Sequence, residues 1–388
     1  MDLEIKNPTE IGLNEQALKN LDNAIQKRID NGQIFGATVI VARGGKIGHR
    51  KAFGTASGLR ESSFEDLYLT MSCAKSFTSA LALHFVDRGL LSLNTFVGDI
   101  IPNFSIFGKD KITLRHLLNH TAGVHASIAP PFPYSIADLI DFDKMVTAYS
   151  TQPLVYETGS RAAYTQVASH ALVGKMIELT DPKQRKFKDI AREDLFEPLE
   201  MYDTSFGLSD PNNSRRVPVA YTEKMTTPSS AVTATMLDSF ANGIVPGGGG
   251  FTTIDDLFKF ADAMRQQGNT GKYRLISKSL FEYASQNSTG DMVNHAWDFA
   301  ENEKRGVPFP ANFHLIGGYA RGKGHFLTPC GSTASEKAIA GMGGGSTAWM
   351  VDPERDLTVA FLSSGFIEGL DHLHRVAEIN DLALSACE

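Results

Sequence analysis

The chain has 388 residues, of which 42% are hydrophobic and 21% charged, a composition typical of a globular protein and not of a disordered one. At this length we expect two domains, or one large domain with an insertion. The 37 Lys and Arg residues against 44 Asp and Glu residues give a formal net charge of −7, which favours neither nucleic acid nor an anionic membrane as a partner.

Cysteine usage and hydropathy narrow the class of protein further. The three cysteines have no C-x-x-C spacing, which excludes a disulfide framework and a cysteine zinc site. No apolar stretch reaches the ~18 residues of a membrane span, and the N-terminus lacks the basic and apolar regions of a signal peptide. We therefore expect a soluble, cytoplasmic protein without a membrane partner.

The first predicted elements are a helix and a hairpin. Asn14–Asn31 has the periodicity of an amphipathic helix. Gly36–Ala42 and Ile47–Phe53 are β-rich, and the Arg43-Gly44-Gly45-Lys46 segment between them predicts a hairpin turn. A helix is then predicted from Ser72 to Gly89, where the glycine is a natural C-terminal cap.

The rest of the chain is helical first and returns to β character near its end. Helices are predicted over Arg115–Asn119, Ser135–Tyr149, Val167–Leu179, Ile254–Gln267 (with Thr253 and Asp256 as a capping box) and Asp371–Ala386, and strands over Thr347–Val351 and Leu357–Leu362. This order predicts an α/β domain formed by residues 1–62 and 240–388, interrupted by a mainly helical domain, residues 63–239. The cleft between two such domains is the usual place for a small-molecule site.

The sharpest chemical signal is Ser72-Cys73-Ala74-Lys75 at the start of a helix. A serine and a lysine three residues apart lie on the same helix face, one above the other. A serine hydroxyl needs a base to become a nucleophile, and a lysine serves as that base when burial and the helix N-terminus lower its pKa. The same N-terminus offers N–H groups to an oxyanion. Because S-x-x-K arises by accident about once in such a chain, the pair alone also fits an ordinary helix start.

Several longer blocks accompany this motif in order along the chain. They are ITLRHLLNHTAGV (Ile112–Val124), LFEPLEMYDTSFG (Leu195–Gly207), PGGGGFTTIDDLFKFADAM (Pro246–Met264) and GGGSTAWMVDPERDLTVAFLSSG (Gly343–Gly365). Together with SCAKS and the hairpin after Gly36, they resemble the serine β-lactamase-related family over most of the chain. That family spans class C β-lactamases, penicillin-binding carboxypeptidases, family VIII carboxylesterases and the fungal acyltransferase that acylates monacolin.

The resemblance implies a fold and several site residues. The fold is α/β plus all-α and β-lactamase/penicillin-binding-protein-like: an antiparallel sheet flanked by terminal helices, with an inserted helical domain. The family's second motif, Tyr-x-Asn, is absent, and Tyr164-Thr165-Gln166 stands at the matching place. By the resemblance Tyr164 shuttles protons with Lys75, and we expect the nearby cation to lower the pKa of its phenol. Gln166 keeps a side-chain amide that is one methylene longer. The plainer interpretation of Tyr164 is a core or surface tyrosine.

The family's third motif, Lys-Thr-Gly or His-x-Gly, is absent as well. Gly341-Met342-Gly343 stands at the matching place, so a glycine replaces the family's cation. The next residue, Gly344, supplies a second oxyanion N–H by the resemblance, beside that of Ser72. We expect the missing side chain to leave space for a bulkier neutral group, with Arg321 as a rival source of the cation. A glycine run of this kind also fits a loop that needs positive φ.

Other signals point away from chemistry. The absence of G-x-S-x-G argues against an α/β-hydrolase. His372-Leu373-His374 predicts a pair of solvated histidines and no metal site, because positions i and i+2 of a helix face different ways. His116 and His120 are interpreted as structural supports. The segment His125–Asp143 is either a surface loop or, as the family suggests, an aromatic wall of the substrate pocket.

These observations predict an active-site serine hydrolase that cleaves small neutral carboxylic esters through an acyl-enzyme on Ser72. No metal or organic cofactor is expected, and the expected partner is a small-molecule ester. The alternative is an acyltransferase that passes the same acyl group to an alcohol or amine. A weak β-lactamase or amide hydrolase and a non-catalytic homologue are less favoured, and the sequence leaves the oligomeric state open.

Overall fold

The computed structural model describes residues 3–298, 309–324 and 327–387 of the chain. Its α-helices are α1 (Glu15–Asp30), α2 (Ala74–Asp87), α3 (Val97–Ile100), α4 (Leu114–Leu118), α5 (Phe142–Thr151), α6 (Ala168–Thr180), α7 (Phe187–Ala191), α8 (Ser230–Asp238), α9 (Ile254–Arg265), α10 (Lys278–Ala284) and α11 (Gly369–Leu384). Its strands are β1 (Gly36–Arg43), β2 (Lys46–Ala56), β3 (Arg60–Glu61), β4 (Tyr68–Leu69), β5 (Ser205–Phe206), β6 (Gly250–Thr252), β7 (Phe313–His314), β8 (Gly318–Ala320), β9 (Ile339–Gly343), β10 (Thr347–Asp352) and β11 (Leu357–Ser364). Within these residues no helix is both long and apolar enough to cross a membrane.

Strands from both ends of the chain join in one eight-stranded antiparallel sheet, with the order β3-β2-β1-β11-β10-β9-β8-β7. Strand β1 lies beside β11, so that Gly36 is opposite Ser364 and Arg43 is opposite Leu357. Three short strands form a second sheet of order β4-β6-β5. The predicted antiparallel sheet built from both termini is confirmed, whereas the predicted domain boundaries stay predictions.

Helices cover both faces of the large sheet. On one face, Ile25 of α1 and Ile379 of α11 share an apolar cluster with Val39 of β1. On the other face, the neighbouring Ile40 belongs to the cluster that contains Leu257 of α9. Successive side chains of a strand point to opposite faces, so this alternation places the two terminal helices on one side and α9 on the other. The terminal helices therefore flank the sheet, as predicted.

Most predicted elements are present, and their ends differ by a few residues. The hairpin turn between β1 and β2 has φ values of 60° at Gly44 and 74° at Gly45, which is the conformation that favours glycine in a two-residue turn. The predicted helix over residues 135–149 is wrong in one respect, because the segment is divided in two. A 3₁₀ helix over Ile136–Ile140 is followed by α5, since the extended Asp141 accepts a hydrogen bond from the backbone N–H of Lys144 and begins a new helix.

Only half of the capping box predicted at the start of α9 is formed. The hydroxyl of Thr253 accepts a hydrogen bond from the backbone N–H of Asp256, at 3.3 Å. The Asp256 carboxylate does not return the bond, because it accepts from the backbone N–H of Asp203, from the hydroxyl of Thr204 and from the ammonium of Lys259. The acidic residue thus ties α9 to the chain before β5 instead of closing the cap.

Candidate active site

Ser72 lies in a short 3₁₀ turn, Met71–Cys73, between β4 and the start of α2. The prediction that it belongs to the first turn of the α-helix is therefore wrong by one short turn. Met71 has a φ of 49°, a left-handed conformation that strains a residue with a side chain. The turn is held on both sides: the Thr70 N–H donates to the carbonyl of Gly250 at 2.7 Å, and the Thr347 hydroxyl donates to the carbonyl of Thr70 at 2.6 Å.

Lys75 is fully buried directly below Ser72. Its Nζ lies 3.2 Å from Ser72 Oγ, 2.6 Å from the carbonyl oxygen of Gln166 and 2.7 Å from that of Gly247. Carbonyl oxygens only accept hydrogen bonds, so a neutral amine would give both of its hydrogens to them and turn its lone pair toward the serine hydroxyl. Burial lowers the pKa of Lys75 to about 7, so the neutral form is well populated near neutral pH.

Tyr164 lies beside this pair, with Lys75 Nζ 5.0 Å from the centre of its ring. Its backbone N–H donates to the side chain of Asn294 at 3.1 Å, and its ring packs 4.6 Å from that of His120. Desolvation raises the pKa of Tyr164 well above its usual value, although a hydrogen bond with Ser72 opposes the rise. The expectation of a lowered pKa is wrong, because the loss of water outweighs the hydrogen bond that would lower it.

Two histidines of the ITLRHLLNHTAGV block make backbone contacts near this site. The Nδ1 atom of His120 accepts a hydrogen bond from the backbone N–H of Thr165 at 3.0 Å, and that of His116 accepts from the N–H of Thr113 at 3.2 Å. These contacts support the interpretation of both as structural. Gln166 contributes through its backbone: its carbonyl oxygen binds Lys75, a contact that its side-chain chemistry could not predict.

A backbone turn after β9 faces the serine. Gly343 packs closely on the chain just before Ser72, since a Cβ atom at Gly343 would lie 2.2 Å from the carbonyl oxygen of Thr70. Gly344 follows, lines the same cavity as Ser72, and has nothing within 4 Å of its Cβ position. The backbone N–H groups of Ser72 and Gly344 donate to no atom of the described residues. They are thus available to bind an oxyanion.

The cavity above Ser72 has a volume of about 380 Å³ and a largely apolar lining. Met71, Met236, Phe240 and Met342 contribute to its walls. Among the described residues that line it, none is a lysine or an arginine, and Glu368 supplies a carboxylate. The space above the nucleophile therefore suits an apolar, uncharged group better than an anion.

Two alternatives that the sequence left open concern the surroundings of the cavity. The segment 125–143 forms no aromatic wall: Ile128 is its one residue among the described lining residues, and Phe132 is 91% exposed because its ring points to solvent. Arg321 is not a replacement cation, since its guanidinium donates to the carbonyl oxygens of Gly322 and Ser332, each at 3.0 Å, and does not line the cavity.

The family model named Beta-lactamase matches residues 21–383, nearly the whole chain. The chain belongs to the beta-lactamase family. It is thus a member of the β-lactamase-like serine hydrolases, and its fold is the β-lactamase/penicillin-binding-protein-like fold that the sequence blocks predicted.

Individual relatives of this beta-lactamase-family chain are distant. A Salmonella enteritidis PT4 protein named "Putative D-alanyl-D-alanine carboxypeptidase" is 29% identical over 194 residues, which are 45% of this chain and 44% of that protein. The chain thus matches less than half the length of this curated relative. A family VIII carboxylesterase structure has a TM-score of 0.73 at 20% identity, covering 95% of this chain and 97% of the other. A simvastatin synthase mutant from Aspergillus terreus has a TM-score of 0.71 at 18% identity, covering 95% of each chain. At identities of 20% and 18%, these two structures show that the fold is shared with this chain and show nothing about its activity.

The third motif of this beta-lactamase-family chain departs from the family pattern in a way the sequence did not predict. Gly341 lies opposite Trp349 in the β9–β10 pair, and a Cβ atom at Gly341 would lie 2.1 Å from the indole Nε1. That indole is buried and donates to Ser76 Oγ at 3.2 Å. The expectation of open space at position 341 is therefore wrong, because Trp349 fills it. A glycine faced across a hairpin by an aromatic residue is the signal that could have revealed this packing.

The two histidines of α11 behave differently from the prediction. His374 is exposed, as expected. His372 is buried, and its Nε2 donates to the carbonyl oxygen of Gly343 at 2.7 Å. The prediction of a solvated pair is thus wrong for His372. The apolar spacing of Leu373, Val376 and Ile379 marks the buried face of α11, and the histidine lies at its edge.

Proposed function

We propose that the chain is a serine hydrolase that cleaves small neutral carboxylic esters through an acyl-enzyme on Ser72. The observation that carries the proposal is the hydrogen bonding of Lys75, whose Nζ meets two carbonyl oxygens and the hydroxyl of Ser72. A neutral lysine held in this way has one acceptor site left, and that site faces the serine proton. Such an arrangement fits a general base for nucleophilic attack.

Acylation then proceeds in balanced steps. Lys75 Nζ takes the proton of Ser72 Oγ as the oxygen attacks the ester carbonyl carbon, and the carbonyl π electrons move to the oxygen. The N–H groups of Ser72 and Gly344 hold the resulting oxyanion. The C–O bond to the alcohol breaks, and the alcohol leaves with a proton that returns from the Lys75 ammonium through the Tyr164 hydroxyl. Tyr164 acts here as a neutral donor, in keeping with the raised pKa of its phenol.

Deacylation repeats the sequence with water as the nucleophile. Water gives its proton to the neutral Lys75 amine and attacks the acyl carbon, and the second tetrahedral intermediate collapses to release the acid. The proton then returns to Ser72 Oγ. General-base catalysis of this kind contributes about 10²–10⁴-fold to the rate.

The proposed preference for neutral substrates depends on which charged side chains line the cavity. A cation that anchors a substrate carboxylate contributes about 1.5–3 kcal/mol, or roughly 10–150-fold in affinity. No lysine or arginine lines the cavity in the part of the chain that the structure describes, and Trp349 fills the space next to Gly341. We therefore expect neutral esters to be good substrates, and penicillins, cephalosporins and D-alanyl-D-alanine peptides to be poor ones.

An acyltransferase is the alternative, and the apolar lining of the cavity favours it. Methionine and phenylalanine side chains around Ser72 would hold an apolar alcohol close to the acyl-enzyme and hold water poorly. The two functions share every step up to the acyl-enzyme. Aryl ester turnover in the presence of increasing concentrations of a neutral alcohol separates them: a transferase forms the new ester in preference to the acid, and a hydrolase forms acid at every concentration.

A serine-directed fluorophosphonate tests the proposal. The intact mass of the wild type is expected to rise by one adduct, mapped to the peptide that contains Ser72. Ser72→Ala should remain unlabelled and lose at least about 10³-fold of the turnover of a short aryl ester, with folding unchanged. Ser76→Ala is the matched control, since Ser76 is buried four residues further along the chain, and its hydroxyl bonds Gly317 and Trp349 among the described residues. Labelling or turnover by Ser72→Ala comparable to wild type would overturn the assignment.

A further inference from the structure

The oxyanion turn, residues 343–346 between β9 and β10, is held by two buried residues of α11, of which His372 also lines the cavity. His372 Nε2 donates to the carbonyl oxygen of Gly343 at 2.7 Å. Arg375 Nη2 donates to the carbonyl oxygen of Gly345 at 2.9 Å and to His372 Nδ1 at 2.8 Å. Both side chains are almost completely buried. The carbonyl groups of Gly343 and Gly345, the residues on either side of Gly344, are therefore fixed by side chains from a different element.

The bond to Gly343 acts directly on the Gly344 N–H. The carbonyl of Gly343 and the N–H of Gly344 belong to the same peptide unit, which is planar and trans, so their directions are tied. When His372 fixes this carbonyl, the direction of the Gly344 N–H is fixed with it, and Gly344 lines the same cavity as Ser72. A hydrogen bond to the carbonyl oxygen also polarises the peptide and strengthens its N–H as a donor.

Arg375 determines which nitrogen of His372 carries the proton. A guanidinium only donates, so His372 Nδ1 must accept the bond from Arg375, and the ring proton lies on Nε2. Burial, and after it the neighbouring charge of Arg375, hold the pKa of His372 well below its usual value, which keeps the ring neutral. A chain of hydrogen bonds thus connects the Arg375 guanidinium, through the neutral His372 ring, to the Gly343–Gly344 peptide of the oxyanion turn.

Arg375 is buried without a described carboxylate partner, and its described hydrogen bonds go to the oxyanion turn and to His372. Its guanidinium forms no ion pair with a described carboxylate, and Nε and Nη1 have no hydrogen-bond partner among the described residues. Burying an arginine without a carboxylate is costly, because its desolvation is not offset by an opposite charge. Its guanidinium lies 5.5 Å from the centre of the Phe361 ring, and its two described hydrogen bonds, to Gly345 and His372, both hold the oxyanion turn.

We propose that His372 and Arg375 are positioning residues that hold and polarise the peptide between Gly343 and Gly344, so that its N–H stabilises the oxyanion formed on Ser72. The inference rests on the proposed serine hydrolase function. A purely structural role, in which the two residues only pin α11 to the sheet, predicts a loss of stability with an unchanged rate per folded active site.

The test compares variants of His372 with a matched control. His372→Leu removes the donor, whereas His372→Gln keeps an amide N–H close to the position of Nε2. His374→Leu, two residues along the same helix and exposed, is the control. Active sites are titrated with the fluorophosphonate, so that rates refer to the folded enzyme, and kcat, KM and the affinity for a boronic acid transition-state analogue are measured.

We expect His372→Leu to lower kcat by about 10–100-fold, with KM changed less than threefold and boronate affinity weakened in parallel with kcat. His372→Gln should recover most of this loss, and His374→Leu should match the wild type. Arg375→Met should lower kcat by about 3–10-fold and Arg375→Lys by less. If His372→Leu only lowers the unfolding midpoint while kcat per titrated site is unchanged, the positioning role is wrong and the hydrolase stands. If the wild type neither reacts with the fluorophosphonate nor cleaves esters, the proposed function fails, and the inference fails with it.

Discussion

Two walls of the cavity contribute to the proposed chemistry in different ways, one through side chains and the other through the backbone. The nucleophile wall carries Ser72 and Lys75, which are three residues apart and lie 3.2 Å from each other. The strand wall consists of Gly341–Gly345, where Met342 alone has a side chain. The first wall supplies a nucleophile and a base through side chains. The second supplies a backbone turn whose shape depends on residues elsewhere in the chain.

This difference determines how each wall responds to substitution. On the nucleophile wall, a change of one functional group removes the chemistry and leaves the neighbouring packing in place. On the strand wall a Cβ atom at Gly341 would meet Trp349, one at Gly343 would meet Thr347, and one at Gly345 would meet Phe366, so an added side chain at these three positions meets packed atoms. We therefore expect substitutions of Ser72 or Lys75 to lower the rate, and side chains added at the packed glycines of the strand wall to lower stability.

The largest effect is expected for Lys75→Arg. A guanidinium stays charged at every working pH and cannot accept the proton of Ser72, so kcat/KM for a short neutral ester should fall by about 10³-fold. Lys109→Arg is the matched control, because Lys109 is also buried and donates to backbone carbonyls, among them that of Gln152 at 2.7 Å, outside the cavity. It should cost stability and leave kcat per titrated site unchanged. A Lys75→Arg enzyme within tenfold of the wild type would remove Lys75 from the mechanism.

The second prediction concerns the pH dependence of the wild type. The pKa of Lys75 is lowered to about 7, so the reactive neutral amine predominates above that pH and the inactive ammonium below it. The kcat/KM for a neutral ester should therefore fall about tenfold per pH unit below pH 7 and level off above it, since kcat/KM reports the free enzyme. Because the pKa of Tyr164 is raised well above 10, no decline from the phenol is expected up to pH 9.

The rate of fluorophosphonate labelling provides an independent measurement of the same pKa. It should follow the same acid limb, because the probe also needs a deprotonating base at Ser72. Titration of the buried histidines near the site would not produce this acid limb, because burial lowers the pKa values of His120 and His170 well below 6.5. A labelling rate that is constant between pH 5 and pH 8 would contradict the assignment of Lys75.

The two walls also differ in how far the sequence predicts them. Ser72 and Lys75 are three residues apart, a local relation, so the sequence alone predicts that their side chains meet. The carbonyl oxygens of Gln166 and Gly247 that fix Lys75 come from loops far along the chain, and backbone contacts leave no mark in residue chemistry. The packing of Trp349 on Gly341 depends on strand register and could only be inferred once the hairpin was paired.

The third prediction tests the strand wall through a pair of glycines. Gly341→Ala places a Cβ atom 2.1 Å from the Trp349 indole, so we expect a loss of about 1–3 kcal/mol in the free energy of unfolding. Gly344→Ala meets nothing within 4 Å and should change stability by less than about 0.5 kcal/mol. Urea unfolding of both variants measures the difference, and the double variant Gly341→Ala/Trp349→Phe should recover part of the loss. Equal stability of the two single variants would contradict the packing argument.

The smallest effect is expected for Glu368→Gln, which measures how much the one carboxylate among the described lining residues contributes to the preference for neutral esters. Glu368 lines the cavity, is exposed, and accepts a hydrogen bond from the hydroxyl of Tyr221 at 2.6 Å. A carboxylate in water repels a substrate anion about 4 Å away by about 1 kcal/mol, or roughly fivefold. For a matched pair of neutral and carboxylate-bearing esters, the ratio of kcat/KM values should therefore fall by about two- to fivefold in this variant. Added salt should reduce the effect.

Asp371→Asn provides the matched control for that measurement. Asp371 is exposed in the first turn of α11 and is not among the described residues that line the cavity, so the variant changes the net charge equally without altering the lining. It should leave the ratio close to the wild-type value. The larger part of the preference for neutral esters should survive in Glu368→Gln, since it arises from the missing cation beside Gly341 and not from an added anion. Complete loss of the preference in Glu368→Gln would instead make Glu368 the residue that excludes anions, and the glycine at position 341 would then have no part in specificity.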